Sequence, residues 1–345
     1  MESKERKING KMILKIIAIV LASIILLVAL VLCGAIGYFK LSVASYYSAS
    51  EKEFVIPDIN DGFVPQGMYY NEGKEHFLVT GYSVDGEASP VYIVDNDGKS
   101  KTVLLAKADG SAFKGHSGGI AAYGDNVYVA GGDDRCLYVY SYEELLNAQD
   151  GASINCKGSF STRAGEGDHV DVSCVSIFNG RIIVGEFYRE ANYPTLDSHK
   201  LTTGCGDYNQ ALAVAFELSD ESEFGIVSEP ICAYSMPDQV QGMCFTDEKI
   251  YLSTSYGVAF SHILEYDAER VKESKITVLG AEVPLYELDS SSLAYDYKIA
   301  PMSEEIEMVN GRLYVMCESA SDKYIFGNLT GARWCYSTSL EDMKK

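Results

Sequence analysis

QVQGMCFTDEKIYLSTSY, residues 239–256, reads as two short strands around a tight polar turn. PQGMYYNEGKEHFLVTGY at 65–82 repeats it: Gln-Gly-Met opens the first strand and a Tyr ends the second. Looser copies are GGIAAYGDNVYVAGGD (118–133), SCVSIFNGRIIVGEF (173–187) and EIEMVNGRLYVMCES (305–319). One such hairpin cannot bury its apolar face alone. Five of them imply a repeat architecture whose units stack into a shared core.

Each copy leads into a third strand: PVYIVD (90–95), CLYVYS (136–141), LAVAFEL (212–218) and HILEYD (262–267). A fourth is expected at KTVLLA (101–106) and KITVLG (275–280). Four antiparallel strands about every 50–65 residues suit a propeller blade, whereas a sandwich would not need the recurring hairpin. The fold class expected is therefore all-β: a β-propeller of five four-stranded blades, or six if 285–300 hides a degenerate repeat. The fifth blade has its third strand at 332–337 and lacks an outer strand. Residues 53–57 could supply it, which would tie the ends together and remove an exposed edge. The helix-like segment 142–149 belongs between the third and fourth strands of the second blade. Asp95-Asn96-Asp97-Gly98 reads as a hairpin turn rather than a calcium loop.

Ahead of the repeats, Lys4, Arg6, Lys7, Lys11 and Lys15 oppose only Glu2 and Glu5, and 16–39 carries no charged side chain. That run exceeds both the roughly 20 residues of a membrane-spanning helix and the ~7–15 of a signal-peptide core. The expected organisation is a basic cytoplasmic tail (1–15), a transmembrane helix (16–39), a stalk (40–51) and an extracytoplasmic propeller (52–345). The basic flank sets that orientation in the cell membrane. Ser42-Val43-Ala44 offers a cleavage site and Cys33 a poor lipoprotein-like site; the reading preferred is an uncleaved anchor.

Beyond residue 40 there are 22 Lys and Arg against 47 Asp and Glu. Such a surface repels phosphate backbones, so nucleic acid is excluded as a partner. Cys136 and Cys156 read as lying on neighbouring strands, where they could pair. Cys174, Cys244 and Cys317 fall at apolar strand positions, the setting of buried free thiols.

In an antiparallel blade, the turns between first and second strands share one face, and here all are minimal. The long connections 188–210, 256–261 and 319–331 share the other. That face should gather Gln66, His116, His169, Asp171, Gln241 and Glu305 from the inner strands, ringed by Tyr82, Asp133, Glu186, Tyr256 and Glu318. Long loops on a rigid scaffold are where function concentrates. His116, His169, Glu305 and Glu318 are the residue types that ligate a divalent cation. Each also has a plainer reading: a His bonded to loop backbone, or a Glu paired with Arg135, Arg189 or Arg333. Asn328-Leu329-Thr330 is a sequon.

PQGM (65–68), GHSGG (115–119), QVQGM (239–243) and EEIEMVNGRLYVMCESASDKY (304–324), behind an anchor, resemble bacterial cell-surface propeller proteins of no assigned activity over most of 54–340. A broader similarity is to calcium-dependent lactonases and strictosidine-synthase-like propellers. The lactonases hold one divalent ion on the axis with a Glu just before the first strand, and with Asn and Asp from other blades. Gln66 stands in the place of that Glu, and no Asn pair matches. The resemblance implies one divalent cation, Ca²⁺, as cofactor. Two functions are thus expected: a module binding a ligand or partner protein at the cell envelope, or alternatively a divalent-cation-dependent hydrolase or lyase.

Overall fold

The computed structural model describes residues 10–324, 327–330 and 332–345, with Asn328 by its backbone only, so the sequon's acceptor side chain lies outside the description. Among the described residues the strands form five blades, each with four antiparallel strands. Blade 1 runs Phe63–Asn71, His76–Ser83, Pro90–Asp95 and Ser100–Ala106 from the axis outward. Blade 2 is Ile120–Tyr123, Asn126–Ala130, Cys136–Ser141 and Gly158–Ser161. Blade 3 is Cys174–Phe178, Arg181–Gly185, Ala211–Leu218 and Ile226–Met236. Blade 4 is Val240–Phe245, Lys249–Thr254, Ser261–Asp267 and Leu293–Ile299. Blade 5 is Ser303–Val309, Arg312–Cys317, Trp334–Thr338 and Ser50–Val55. Each inner strand packs against the next, and the fifth returns to the first, which closes the ring.

The chain's first strand does complete the last blade. Ser50 pairs with Thr338 and Val55 with Trp334, with a bulge between Lys52 and Phe54. The outer edge of blade 5, otherwise a row of unpaired backbone groups, is thereby satisfied within the chain.

Blade 4 departs from expectation. Its outer strand is Leu293–Ile299, not 275–280. Lys272–Val278 and Ala281–Glu287 instead form a hairpin that leaves blade 4 and extends blade 3, with Ala281–Glu287 parallel to Ile226–Met236. Val278, Val283 and Leu285 of that hairpin are buried with the blade 2–3 core, which is the burial that draws it there. The segment 285–300 is consumed by these two strands, so it holds no sixth blade. Ala152–Asn155 similarly extends blade 1, parallel to Ser100–Ala106.

The two cysteines expected to pair are both free, although they are buried in the same core. Cys156 follows the strand added to blade 1, and its N–H reaches Ala106 O, while Cys136 sits in blade 2. All nine cysteines are free, and Cys174, Cys244 and Cys317 are buried thiols. The helical segment is Tyr142–Asn147, between the third and fourth strands of blade 2, capped by Ser141 Oγ accepting from Glu144 N–H.

Among the described residues one helix, Gly10–Ser42, is long and apolar enough to cross a membrane, at roughly 50 Å for its 33 residues. Part of the expected stalk is packed on the propeller. Val43, Tyr46 and Ala49 are buried among Tyr251, Tyr297 and Tyr336 of blades 4 and 5, and Tyr47 Oη donates to Thr330 O at 2.5 Å. The helix end meets the long-loop face, where the rings of Tyr38 and Phe39 lie 5.7 and 5.8 Å from Phe260.

Candidate functional site at the axial mouth

The inner strands meet closely around the axis because three of them carry glycine at one level. A Cβ on Gly67 would stand 3.0 Å from Gly119 Cα, one on Gly119 2.4 Å from Val175 N, and one on Gly242 2.6 Å from Glu305 Cα. No side chain fits at those contacts.

Just before that level, three inner strands bulge. Strand pairing skips Gln66 in blade 1 and Gln241 in blade 4, and takes two residues, Glu304 and Glu305, against one in blade 5. A bulge turns a side chain out of the pleat. Gln66, Gln241 and Glu304 are thus equivalent positions, re-aimed together toward the mouth. Glu318, directly after the second strand of blade 5, lies beside them.

Gln66 Nε2 donates to Glu318 Oε2 at 3.0 Å, and Tyr324 Oη donates to Glu318 Oε1 at 2.7 Å. Gln241 Nε2 donates to Glu304 Oε1 at a long 3.4 Å. Lys323 Nζ contacts Tyr82 Oη and lies over the rings of Tyr82 and Tyr324. The His116 ring stands edge-on to Tyr82, with centroids 4.6 Å apart. Beneath, Glu305 Oε1 accepts from Met243 N–H at 3.1 Å, while its Oε2 and the buried Ser117 Oγ have no partner.

The electrostatics follow from burial. Glu304 is 2% exposed, and its carboxyl is pushed well above the usual range by desolvation, then by Glu318 and Glu305, against the pull of Lys323. Glu318 is also raised by desolvation, opposed by its hydrogen bond from Tyr324, by Lys323 and by Gln66. Desolvation and then Lys323 lower His116 and so favour neutral imidazole. A buried carboxyl and a half-buried one beside it cannot both ionise cheaply. The mouth therefore holds a partly protonated pair that can accept a hydrogen bond, donate one, or receive a cation.

The remaining candidates are placed elsewhere. Asp171 is paired with Arg135, Oδ1 to Nε 2.7 Å, and His169 Nε2 stands 3.9 Å from its other oxygen. His169 Nδ1 is buried without a partner. Glu186 is fully engaged: both its oxygens lie 3.0 Å from His199 Nδ1, and Oε2 also accepts from Leu212 N–H. It fastens the 188–210 insertion instead of facing a ligand. Tyr256 is a rim residue, stacked under the Arg189 guanidinium at 3.9 Å.

The four expected metal ligands do not assemble. Among the described residues no group of three or more His, Cys, Asp or Glu side chains could hold an ion. Glu305 is turned into strand backbone, and His169 is turned toward Asp171. Nor do Arg135 and Arg189 neutralise the glutamates, since Arg135 serves Asp171 and Arg189 serves Tyr256 and Asn192, while Arg333 is exposed. Lys323 is the nearby cation. Glu304, Lys323 and Tyr324 were not singled out from sequence. Aligning Glu304-Glu305-Ile306 with Gln241-Gly242-Met243 would have found the first; nothing local marks the other two.

No protein-family model matches the sequence, and no curated protein matches it. Among solved structures the chain is similar to the glutaminyl cyclase of Myxococcus xanthus (12% identity over 84% of this chain and 94% of that one, TM-score 0.42). It is similar also to the PQQ-bound aldose sugar dehydrogenase of Streptomyces coelicolor (11%, 84% and 97%, 0.42). A third is a protein of Bacteroides uniformis provisionally described as a 6-phosphogluconolactonase (13%, 73% and 77%, 0.38). Likeness at this level carries nothing about ligand or reaction.

Proposed function

We propose that the chain is a single-pass membrane protein, its basic N-terminus cytoplasmic and its propeller outside, which binds a ligand bearing an ammonium group at the axial mouth. The observation that carries this is the carboxyl pair formed by buried Glu304 and half-buried Glu318. Burying carboxyls without a full set of partners is costly. Glu304 has one long hydrogen bond, and the neighbouring Lys323 is occupied with Tyr82. A ligand cation seated between the carboxyls would offset that cost, with Gln66 and Gln241 orienting it and Tyr82, Tyr324 and His116 as walls. A divalent-cation-dependent hydrolase or lyase would need a third ligand at this point, so binding is the reading the geometry supports.

The test is calorimetric titration of primary amines and their hydroxyl isosteres into the purified protein in buffers of different ionisation enthalpy. Amine binding should release a proton from the pair, giving buffer-dependent heat, and Glu304→Gln should abolish it. Equal binding of amine and hydroxyl, or binding unchanged in the variant, would overturn the reading.

A further inference from the structure

Beside the polar mouth is a second space of different character. A cavity of about 260 Å³ lies between the membrane helix and blade 5, lined chiefly by Phe39, Val258, Pro301, Met302, Lys323 and Tyr324. It has room for on the order of eight groups the size of a water or a methylene. Two of its lining residues belong to both sites: Tyr324 donates to Glu318, and Lys323 lies against Tyr82. The cavity wall Phe39 ends the charge-free run of the helix, so the apolar space opens where the chain would leave a bilayer.

The surrounding face has matching chemistry. Outside the helix, the large exposed apolar residues among those described are Val84, Tyr193, Tyr208, Tyr256, Val258 and Tyr295. All but Tyr295 lie in connections between second and third strands, on the face that meets the helix. Tyrosines at a rim, with apolar rings and wet tips, suit a membrane interface.

We propose that the ligand is a membrane amphiphile with an ammonium head: the head sits between Glu304 and Glu318, and the aliphatic chain runs along Phe39, Val258 and Met302 toward the bilayer. This rests on the ammonium-binding reading above and names its ligand class. The unpartnered Glu305 Oε2 and Ser117 Oγ beneath the mouth are polar positions that a seated head group and its water would satisfy.

The experiment uses the full chain in phosphatidylcholine nanodiscs and a long-chain alkylamine carrying a diazirine at mid-chain. Photolysis should label residues lining the Phe39–Met302 cavity. Dodecylamine should compete at least about tenfold better than butylamine, since two buried methylenes already confer roughly that factor. Val258→Asp, at an exposed position that the fold tolerates, should weaken labelling by a similar factor, and Glu304→Gln should do the same. If butylamine competes as well as dodecylamine, the amphiphile is overturned while the ammonium site stands. If dodecanol competes as well as dodecylamine, the head-group reading falls and takes both proposals with it. Labelling indifferent to both variants would mean partition into the bilayer alone and would likewise overturn both.

Discussion

Gln66 Nε2 donates to Glu318 Oε2 at 3.0 Å, joining the innermost strand of the first blade to the second strand of the last across 252 residues of sequence. The bond spans the seam where the ring closes. The carboxyl that it steadies belongs to the Glu304–Glu318 pair at the mouth, so closure of the fold and shape of the site depend on one another.

Removing the Gln66 donor should therefore cost both. Gln66→Leu leaves Glu318 with Tyr324 as its one side-chain hydrogen-bond donor and should destabilise the propeller by about 1–3 kcal/mol in denaturant unfolding. Gln66→Glu adds a third carboxyl to the mouth, and its loss of stability should be greater at neutral than at acid pH.

On the inner strand of blade 5, burial and Glu72 push the half-buried Glu307 carboxyl up to about 8 from an ordinary 4.5. Between those values the folded chain keeps a proton that the unfolded chain has released. Stability is full below the lower value and falls as pH rises through the window. Glu304, Glu305 and Glu318 are shifted the same way. The Tm should drop between about pH 5 and pH 8, and Glu307→Gln should flatten the curve. A Tm that rises across this range would contradict the assignment.

Tyr46 is fully buried between blades 4 and 5, yet its hydroxyl has no partner. Tyr46→Phe should be neutral or stabilising by about 1 kcal/mol, because an unsatisfied buried group is removed. Tyr46→Ala should cost about 3–5 kcal/mol through the cavity it leaves. Thermal melts of the two variants would separate ring packing from the hydroxyl.

A methyl group at residue 242 would collide with Glu305 Cα at 2.6 Å and Oε1 at 2.8 Å. Gly242→Ala should lower stability by about 1–3 kcal/mol or more and disturb binding at the mouth. Gly165→Ala, with open space around its position, should stay within about 0.5 kcal/mol of the parent.

The Glu186–His199 pair, each residue 1% exposed, fastens the 188–210 insertion to blade 3. His199→Leu strands a buried carboxylate, at a cost of about 3–5 kcal/mol. The insertion should then become the first site cut in limited proteolysis. Cleavage elsewhere first would show that the pair does not hold it.

Much of the ring could be read from periodicity. Gln-Gly-Met recurs at 66–68 and 241–243 because the inner strands of blades 1 and 4 both bulge and then pass a neighbour without a side chain. That need is local and leaves a local signature. The destination of the hairpin at 272–287 has no such signature. Its alternation suits any sheet edge, and the apolar partners that select blade 3 lie far away in sequence.

The candidate site divides along the same line. Gln66, Gln241 and Glu318 could be anticipated, since strand position alone sends them to the mouth. Glu186, His169 and Glu305 have equally suggestive positions, but His199 of the insertion and the Met243 backbone of blade 4 occupy the two glutamates, and Asp171, two residues along the chain, lies beside His169. The amino-acid sequence by itself determined the apolar helix, the all-β ring and its five units, because these follow from short-range patterns of burial and turn. Only the tertiary structure decided which acids stay unpaired at the axis and that an apolar cavity adjoins them. Desolvation and pairing depend on every group within a few ångströms, wherever it lies along the chain.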